Sequence, residues 1–198
     1  MSHETVRPMT QGQLKDLVAT MIGAIPDLSF DEAQRLIGEK GRFTRELQPA
    51  FRKTEKTTTY PVSVDYDRKT DAMIADGRYD WTNSDTTEKH FPNTRSGKAD
   101  LEIELVHAGR VISSEDAIAE MARQGLRPCE LSELLALGAT HPDLQREFPI
   151  IALGSVWRGP NGDRRVPYLS RIGSERILNL HWFEGDWFEI CRFAAVRN

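Results

Sequence analysis

The sequence predicts an α+β domain built from one long strand, two helices and a closing antiparallel meander. Residues 99–106 alternate between apolar and mostly acidic side chains, which is the period of a half-buried strand. Two helical patterns follow, from Ser114 and from Leu126. The last stretch, 149–198, holds four apolar or alternating runs closed by turn residues that tolerate positive φ, as in Glu184-Gly185-Asp186. This order of elements predicts an α+β fold in which the first strand pairs with the last.

The elements of the core segment follow from local signals. Ser113 and Ser114 with the acids after them predict a helix start, and Gly125 predicts its end. Leu126-Arg127-Pro128 is interpreted as the start of a second short helix, which ends at Gly138. Residues 139–148 bridge to the meander.

Residues 1–95 are predicted to be a helical and mixed extension that precedes the domain at 96–198. Apolar residues spaced as on an amphipathic helix predict a helix over 13–25, and a capping box from Ser29 opens another through about Glu39. Thr57–Tyr66 has strand composition, but Pro61 makes it an edge strand or splits it.

The remainder of the extension is less regular. Residues 69–76 predict a short helix closed by Gly77. A long polar loop over 79–92 is expected to be pinned by Trp81 and Phe91.

Composition excludes several classes of function. The chain has 198 residues and a net charge of −4, and its 26 basic residues are scattered, which argues against nucleic acid or an anionic membrane as partner. No apolar run reaches the roughly 18 residues of a membrane span, and no signal peptide is recognisable. Two cysteines favour a reducing, cytoplasmic location by default. Display on a cell surface or virion stays open.

The sequence does not predict catalysis, a metal or a cofactor. Phosphate-binding, dinucleotide-binding, zinc-protease and paired-cysteine motifs are absent. Asp80, Asp85, Glu88 and His90 lack metal-ligand spacing and are interpreted as solvated loop residues. The acids near the last turn, Glu184, Asp186 and Glu189, lack the motif of calcium-dependent lectins.

The run 176–183 shows two populations of side chains. Leu178, Leu180 and Trp182 share one parity and form the predicted core side. The opposite parity mixes apolar and polar residues without structural logic and is predicted to face outward. Clustered exposed apolar residues indicate an interaction surface. The alternative is that the sheet is covered on both faces.

Several segments resemble the variable proteins that diversity-generating retroelements of bacteria and their phages diversify. They read ISSEDAIAEMARQGLRPCELSELLALG, EFPIIALGSVW, VPYL and HWFEGDWFEICRFAAVRN. The resemblance covers about residues 99–198. It implies a C-type-lectin-like fold over 96–198 with variable positions near the C-terminus, where adenine-directed mutagenesis produces residues such as Asn, Ser, His, Phe, Ile and Arg.

The outward parity set agrees with that repertoire. The predicted ligand-binding residues are Ser170, Arg171, Ile172, Ser174, Ile177, Asn179, His181, Phe183, Phe188 and Ile190. The predicted buried frame is Leu169, Leu178, Leu180, Trp182, Trp187 and Phe193.

The function expected from this pattern is non-catalytic recognition of a macromolecular ligand, with protein favoured. Homo-oligomerisation is left open. The alternative is an intracellular structural or regulatory protein whose meander face forms an oligomer interface.

Overall fold

The computed structural model describes residues 58–197. The helices predicted at 13–25 and 29–39 lie outside the described residues. The described part is a mixed α+β unit. Its elements, in chain order, are β1 (Thr59–Asp65), α1 (Thr70–Gly77), β2 (Trp81–Thr82), β3 (Lys98–Val106), α2 (Ser114–Arg123), β4 (Leu126–Pro128), α3 (Leu131–Thr140), α4 (Leu144–Glu147), β5 (Ile150–Ile151), β6 (Trp157–Arg158), β7 (Arg164–Ile172), β8 (Glu175–Trp182) and β9 (Arg192–Arg197).

All of these strands belong to one sheet. Its order is β1-β3-β9-β5-β7-β8-β2, with β4 added to β9 and β6 added to β7. The pairs β5–β9 and β2–β8 are parallel and the others are antiparallel. Strand β3 pairs with β9, with Leu105 opposite Ala194. The prediction that the first strand of the core segment pairs with the last is therefore confirmed.

The sheet crosses the boundary that the sequence suggested at residue 95. Strand β1 pairs with β3 over its whole length, and β2 pairs with β8. Residues 59–95 therefore build the same sheet as the residues after them, within one unit at Lys56–Asn198. Strand β1 lies at the edge of the sheet, as Pro61 predicted.

Each face of the sheet carries its own hydrophobic cluster. The first face packs against α1 and α3, and its buried residues include Ile103, Leu169 and Leu178. The second face packs against α2 and the segment after β8, and its buried residues include Val166 and Phe193. A large apolar side chain contributes about 1.5–3 kcal/mol when it is fully buried.

No helix within 58–197 is long and apolar enough to cross a membrane.

The segment 126–128 corrects one prediction. It is not the start of a helix but strand β4, because its backbone pairs with β9, with Pro128 opposite Ala195. The helix begins at Leu131, where Glu130 and Glu133 form a reciprocal capping box. It also continues through Gly138, the predicted end, to Thr140. In the long loop, Phe91 is buried as expected, but Trp81 is exposed on β2.

A buried arginine ties three helices to the sheet. The Arg176 side chain donates to Gly77 O at 2.6 Å, to Gly138 O at 2.7 Å and to Gln145 Oε1 at 3.0 Å. Gly77 is the last residue of α1, and Gly138 lies in the last turn of α3. Carbonyls at helix C-termini carry partial negative charge, so they stabilise a cation there. Burial lowers the pKa of Arg176.

A tyrosine fills the space beside this arginine. The Arg176 guanidinium lies 5.1 Å from the Tyr79 ring centroid. A Cβ at Gly77 or at Gly138 would collide with the Tyr79 ring or its hydroxyl. Both glycines are therefore required by the close approach of one aromatic side chain, and Gly138 is a packing position rather than a helix stop.

A second buried network centres on Glu133. Its carboxylate accepts from Tyr66 Oη at 2.6 Å, from Arg127 Nη1 and Nη2 at 2.9 and 2.7 Å, and from Glu130 N at 2.8 Å. Burial alone would raise the pKa of Glu133, but these hydrogen bonds outweigh it and lower the pKa. The network joins α3 to β4 and to Tyr66, the residue that follows β1.

We predict that Gly138→Ala destabilises the protein by about 1–3 kcal/mol, because the new methyl group overpacks against Tyr79 and against Leu169 Cδ1 at 2.8 Å. Tyr79→Phe alone should cost less than about 1 kcal/mol, since the buried Tyr79 hydroxyl has no partner among the described residues. Adding Tyr79→Phe to Gly138→Ala should recover part of the loss. Urea denaturation of the three variants measures this coupling, and strictly additive costs would contradict it.

We predict that Glu133 contributes to acid sensitivity. Because its folded pKa lies below its ordinary value of 4.5, its contribution is present above pH 4.5 and is lost as pH falls through the folded pKa. Glu133→Gln should lower stability at neutral pH by about 1–3 kcal/mol. It should also flatten the decline below about pH 5. Glu102→Gln, at an exposed position of β3, is the control and should keep the wild-type profile.

Candidate ligand-binding surface

The ten residues predicted to bind ligand differ in their exposure. Five are exposed: Arg171, Ile172, Ser174, Phe188 and Ile190. Three are partly buried: Ser170, Asn179 and His181. Two are buried: Ile177 and Phe183. The exposed members belong to two short segments, the hairpin turn at 171–174 and the C-terminal loop at 183–191.

Ile177 does not face solvent, contrary to the prediction. Only 4% of it is exposed. It lies between Ser170 on β7 and Trp81 on β2, its neighbours in the two ladders. The sequence placed Trp81 in a loop, so the strand that flanks Ile177 was not anticipated.

Phe183 and Trp182 are placed opposite to the prediction. Phe183 is only 4% exposed and packs in the second cluster, with the Arg164 guanidinium 4.1 Å from its ring centroid. Trp182 was predicted to be core but is 60% exposed. It shares a parity with Leu178 and Leu180, and burial decreases along β8 from Leu178 to Trp182. Parity therefore does not decide which side chains of this strand are buried, because other elements cover its two faces over different lengths.

The C-terminal loop is fixed at regular intervals by buried side chains. Phe183, Trp187 and Cys191 are buried, whereas Phe188, Glu189 and Ile190 are exposed. The backbones of Trp187 and Ile112 exchange two hydrogen bonds, at 2.9 and 3.1 Å. Phe188, Glu189 and Ile190 therefore project from a loop whose path is set by its anchors.

One serine holds two of these anchors. The Ser114 hydroxyl, in the first turn of α2, donates to Phe183 O at 2.7 Å and accepts from Trp187 Nε1 at 2.8 Å. Arg164 adds ion pairs to Glu184 in the loop and to Glu115 on α2, at 2.6 and 3.1 Å. The loop is thus attached to α2 as well as to the sheet.

The hairpin turn is held by the neighbouring helix α4. Arg171 Nε donates to Arg146 O at 2.6 Å and Arg171 Nη1 to Gly173 O at 2.9 Å, while Arg146 donates to Ser174 O. Gly173 has a φ of 59°, which a glycine adopts without strain. These contacts leave Ile172 exposed at the tip.

The hairpin turn and the C-terminal part of the loop lie at the same end of the sheet, whereas the loop begins at the opposite end, where Trp182 pairs with Arg165. The ladders align Arg192 of β9 with Ile150 of β5, and Ile150 with Leu169 of β7. Because β7 runs antiparallel to β5 and β9, Ile190, two residues before Arg192, and Ile172, three residues after Leu169, extend beyond this row of paired residues in the same direction. Beside Ile190 is an open cleft of about 320 Å³, lined by His107, Gly109, Glu147, Phe148, Glu189, Ile190 and Arg192.

A row of polar and aromatic side chains continues the surface along the second face. Asn83 Nδ2 donates to Asn179 Oδ1 at 2.9 Å, and Asn179 Nδ2 donates to Tyr168 Oη at 3.2 Å. The His181 ring lies 4.9 Å from the Trp187 ring. Asn83 and Tyr168 were missed by sequence reasoning. The register of β7 and β8 pairs Tyr168 with Asn179, but the sequence alone does not fix that register.

The loop acids do not form a metal site in the described part of the chain. Asp80 Oδ2 accepts from Arg176 N at 2.6 Å, and the His90 ring stacks 4.1 Å from the Trp157 ring. No group of three His, Cys, Asp or Glu residues within 58–197 has the geometry to hold a metal ion. Cys129 and Cys191 are buried free thiols, and burial raises the pKa of each.

Comparison of the chain with protein-family models, with curated proteins and with solved structures gave no match.

We predict that Ser114→Ala loosens the C-terminal loop. It leaves the Trp187 indole N–H buried without its acceptor, which should cost about 1–3 kcal/mol. Ser113→Ala is a matched control, because it removes the helix cap to Asp116 N, at about 1 kcal/mol, without touching the loop. Hydrogen exchange at the Trp187 and Ile112 amides should accelerate more in Ser114→Ala, even after correction for global stability. Equal acceleration in both variants would show that Ser114 has no specific role in the loop.

Proposed function

We propose that this chain is a non-catalytic binding protein with a C-type-lectin-like fold, of the kind that diversity-generating retroelements diversify. Its ligand-contacting residues are Arg171, Ile172, Ser174, Phe188 and Ile190, with Ser170, Asn179 and His181 beside them. Ile177 and Phe183 belong to the buried scaffold instead.

The observation that carries the proposal is the separation of anchors from exposed residues in the C-terminal loop. Phe188 is 72% exposed, although it lies between the buried anchors Trp187 and Cys191. A loop of this kind tolerates substitution at its tip because its conformation is set elsewhere. The hairpin turn repeats the arrangement, since its backbone carbonyls are held by arginines and Ile172 is free.

The chemistry of the surface favours a macromolecular ligand, with protein as the best candidate. Ile172, Phe188 and Ile190 are large apolar side chains in water, and such groups act as anchors when a partner covers them. Of these three side chains only Ile190 lines the open cleft at this end of the sheet, whereas small-molecule sites bury most of their ligand. The resemblance to retroelement variable proteins and the pairing of β3 with β9 support the fold assignment.

The second candidate is an oligomer interface, because the same exposed apolar side chains could be covered by another copy of the chain. Molar mass by light scattering separates the two functions. Under the binding proposal, Phe188→Ser with Ile190→Ser leaves the molar mass unchanged. A fall in molar mass would favour the oligomer.

We predict a large difference between two phenylalanines of the same loop. Phe188→Ser should change the free energy of unfolding by less than about 0.5 kcal/mol, because an exposed side chain loses little. Phe183→Ser should cost about 3–5 kcal/mol, because it removes a buried ring beneath Arg164. Thermal or urea unfolding measures both. Comparable losses would show that the loop tip is part of the scaffold.

A selection experiment tests binding directly. The five exposed positions would be randomised in the full chain, displayed on phage and selected against purified lysozyme. We expect folded binders from this library and none from a matched library at Leu169, Leu178, Trp187 and Phe193. Failure of the first library to yield any folded binder would contradict the proposal.

A near-copy of the last fifty or so codons beside a reverse transcriptase gene, differing mainly at adenines, would support the retroelement assignment.

A further inference from the structure

The edge strand β1 directs alternate backbone groups away from the sheet. Tyr66 N donates to Gly97 O at 2.9 Å, in the register that pairs Asp65 with Lys98. In an antiparallel pair, every second residue exchanges both hydrogen bonds with its partner. The even-numbered residues of β1 therefore bond to β3. The odd-numbered residues, Thr59, Pro61, Ser63 and Asp65, point their backbone groups at the edge that no other strand of residues 58–197 covers.

Two of these four positions cannot accept a normal strand partner. Pro61 has no N–H, and its carbonyl accepts from His141 Nε2 at 3.0 Å. The Asp65 carbonyl accepts from Arg68 N at 3.2 Å. The His141 ring is itself placed edge-on to Tyr60, with centroids 5.4 Å apart. Among the described contacts, only Thr59 and Ser63 keep both groups directed outward.

This distribution blocks the symmetric pairing of two β1 strands. An antiparallel pair centred on Ser63 would place each Pro61 opposite an Asp65 of the other copy. One hydrogen bond of that residue pair is lost because proline lacks the donor, and the other has to compete with His141 for the Pro61 carbonyl. A pair centred on Pro61 would place proline opposite proline. Any pairing of three successive outward positions includes Pro61.

We propose that Pro61 and the His141–Pro61 hydrogen bond together keep β1 from pairing with β1 of a second copy of this chain. Strand β1 and the residue before it, TTYPVSVD, are rich in β-branched residues, and an exposed edge of that composition is a site of self-association. Pro61 and the His141–Pro61 hydrogen bond act on backbone groups of β1, so this effect does not depend on the ligand-binding surface.

The test removes both Pro61 and the His141 side chain from the full chain. Pro61→Thr restores a donor, and His141→Ala frees the carbonyl of residue 61. Light scattering over a concentration series should show that the double variant associates at lower concentration than the wild type, by roughly fivefold for each hydrogen bond made available. Hydrogen exchange at the Ser63 and Asp65 amides should slow in the associated form. Each single variant should show a smaller effect.

A third substitution distinguishes strand pairing from unspecific aggregation. Ser63→Pro, added to the double variant, removes an outward backbone donor and leaves the backbone hydrogen bonds to β3 intact, although it also removes the hydrogen bond from Ser63 Oγ to Asp100 Oδ1 on β3. The molar mass should return to that of the wild type. Association that persists with Ser63→Pro would overturn the proposal. An unchanged molar mass in a double variant whose far-ultraviolet circular dichroism is native would also overturn it.

Discussion

The buried guanidinium of Arg176 is the interaction on which the arrangement of helices and sheet depends. It has no carboxylate partner for its guanidinium in the described structure; carbonyls from the last turns of α1 and α3, together with the Gln145 amide, supply its acceptors. These three acceptors come from three helices, and the arginine itself lies on β8. A single side chain therefore fixes the distances between four elements. Tyr79 completes the packing, which explains why glycine occurs at both helix ends that it contacts.

The candidate surface benefits from this rigidity. The hairpin turn joins β7 to β8 only a few residues before Arg176, so the exposed Ile172 is attached to the best-fixed part of the sheet. At the opposite end of β7 and β8, Ser114 and Arg164 attach the start of the C-terminal loop to α2. A binding surface that is already ordered loses less conformational entropy when it meets its partner. Under the proposed function, stability and recognition rest on different residues, so the ligand-contacting residues can change without loss of the fold.

Local signals were sufficient for much of the fold. Alternation predicted β3, a serine cap predicted α2, and Pro61 predicted that β1 lies at an edge. Long-range pairing decided the rest. Pro128 is compatible with a helix start, but the ladder to β9 makes its segment a strand.

In the candidate site, parity separated the residues of β8 into two faces but could not tell how far each face is covered, so it predicted the burial of Ile177 and Trp182 wrongly. Ile177 and Phe183 are buried because β2 and the C-terminal loop lie beside them, whereas Trp182 extends beyond the elements that cover its own face of the sheet.

The central position of β9 has a consequence for biosynthesis. This strand pairs with β3, β4 and β5, all of which precede it in the chain. During translation, β3 and β5 therefore cannot be joined into one sheet until β9 leaves the ribosome. Until then, the edges of β3, β4 and β5 that pair with β9 stay unpaired. The nascent chain is most vulnerable to misassembly in that interval, which ends when β9 pairs with these strands.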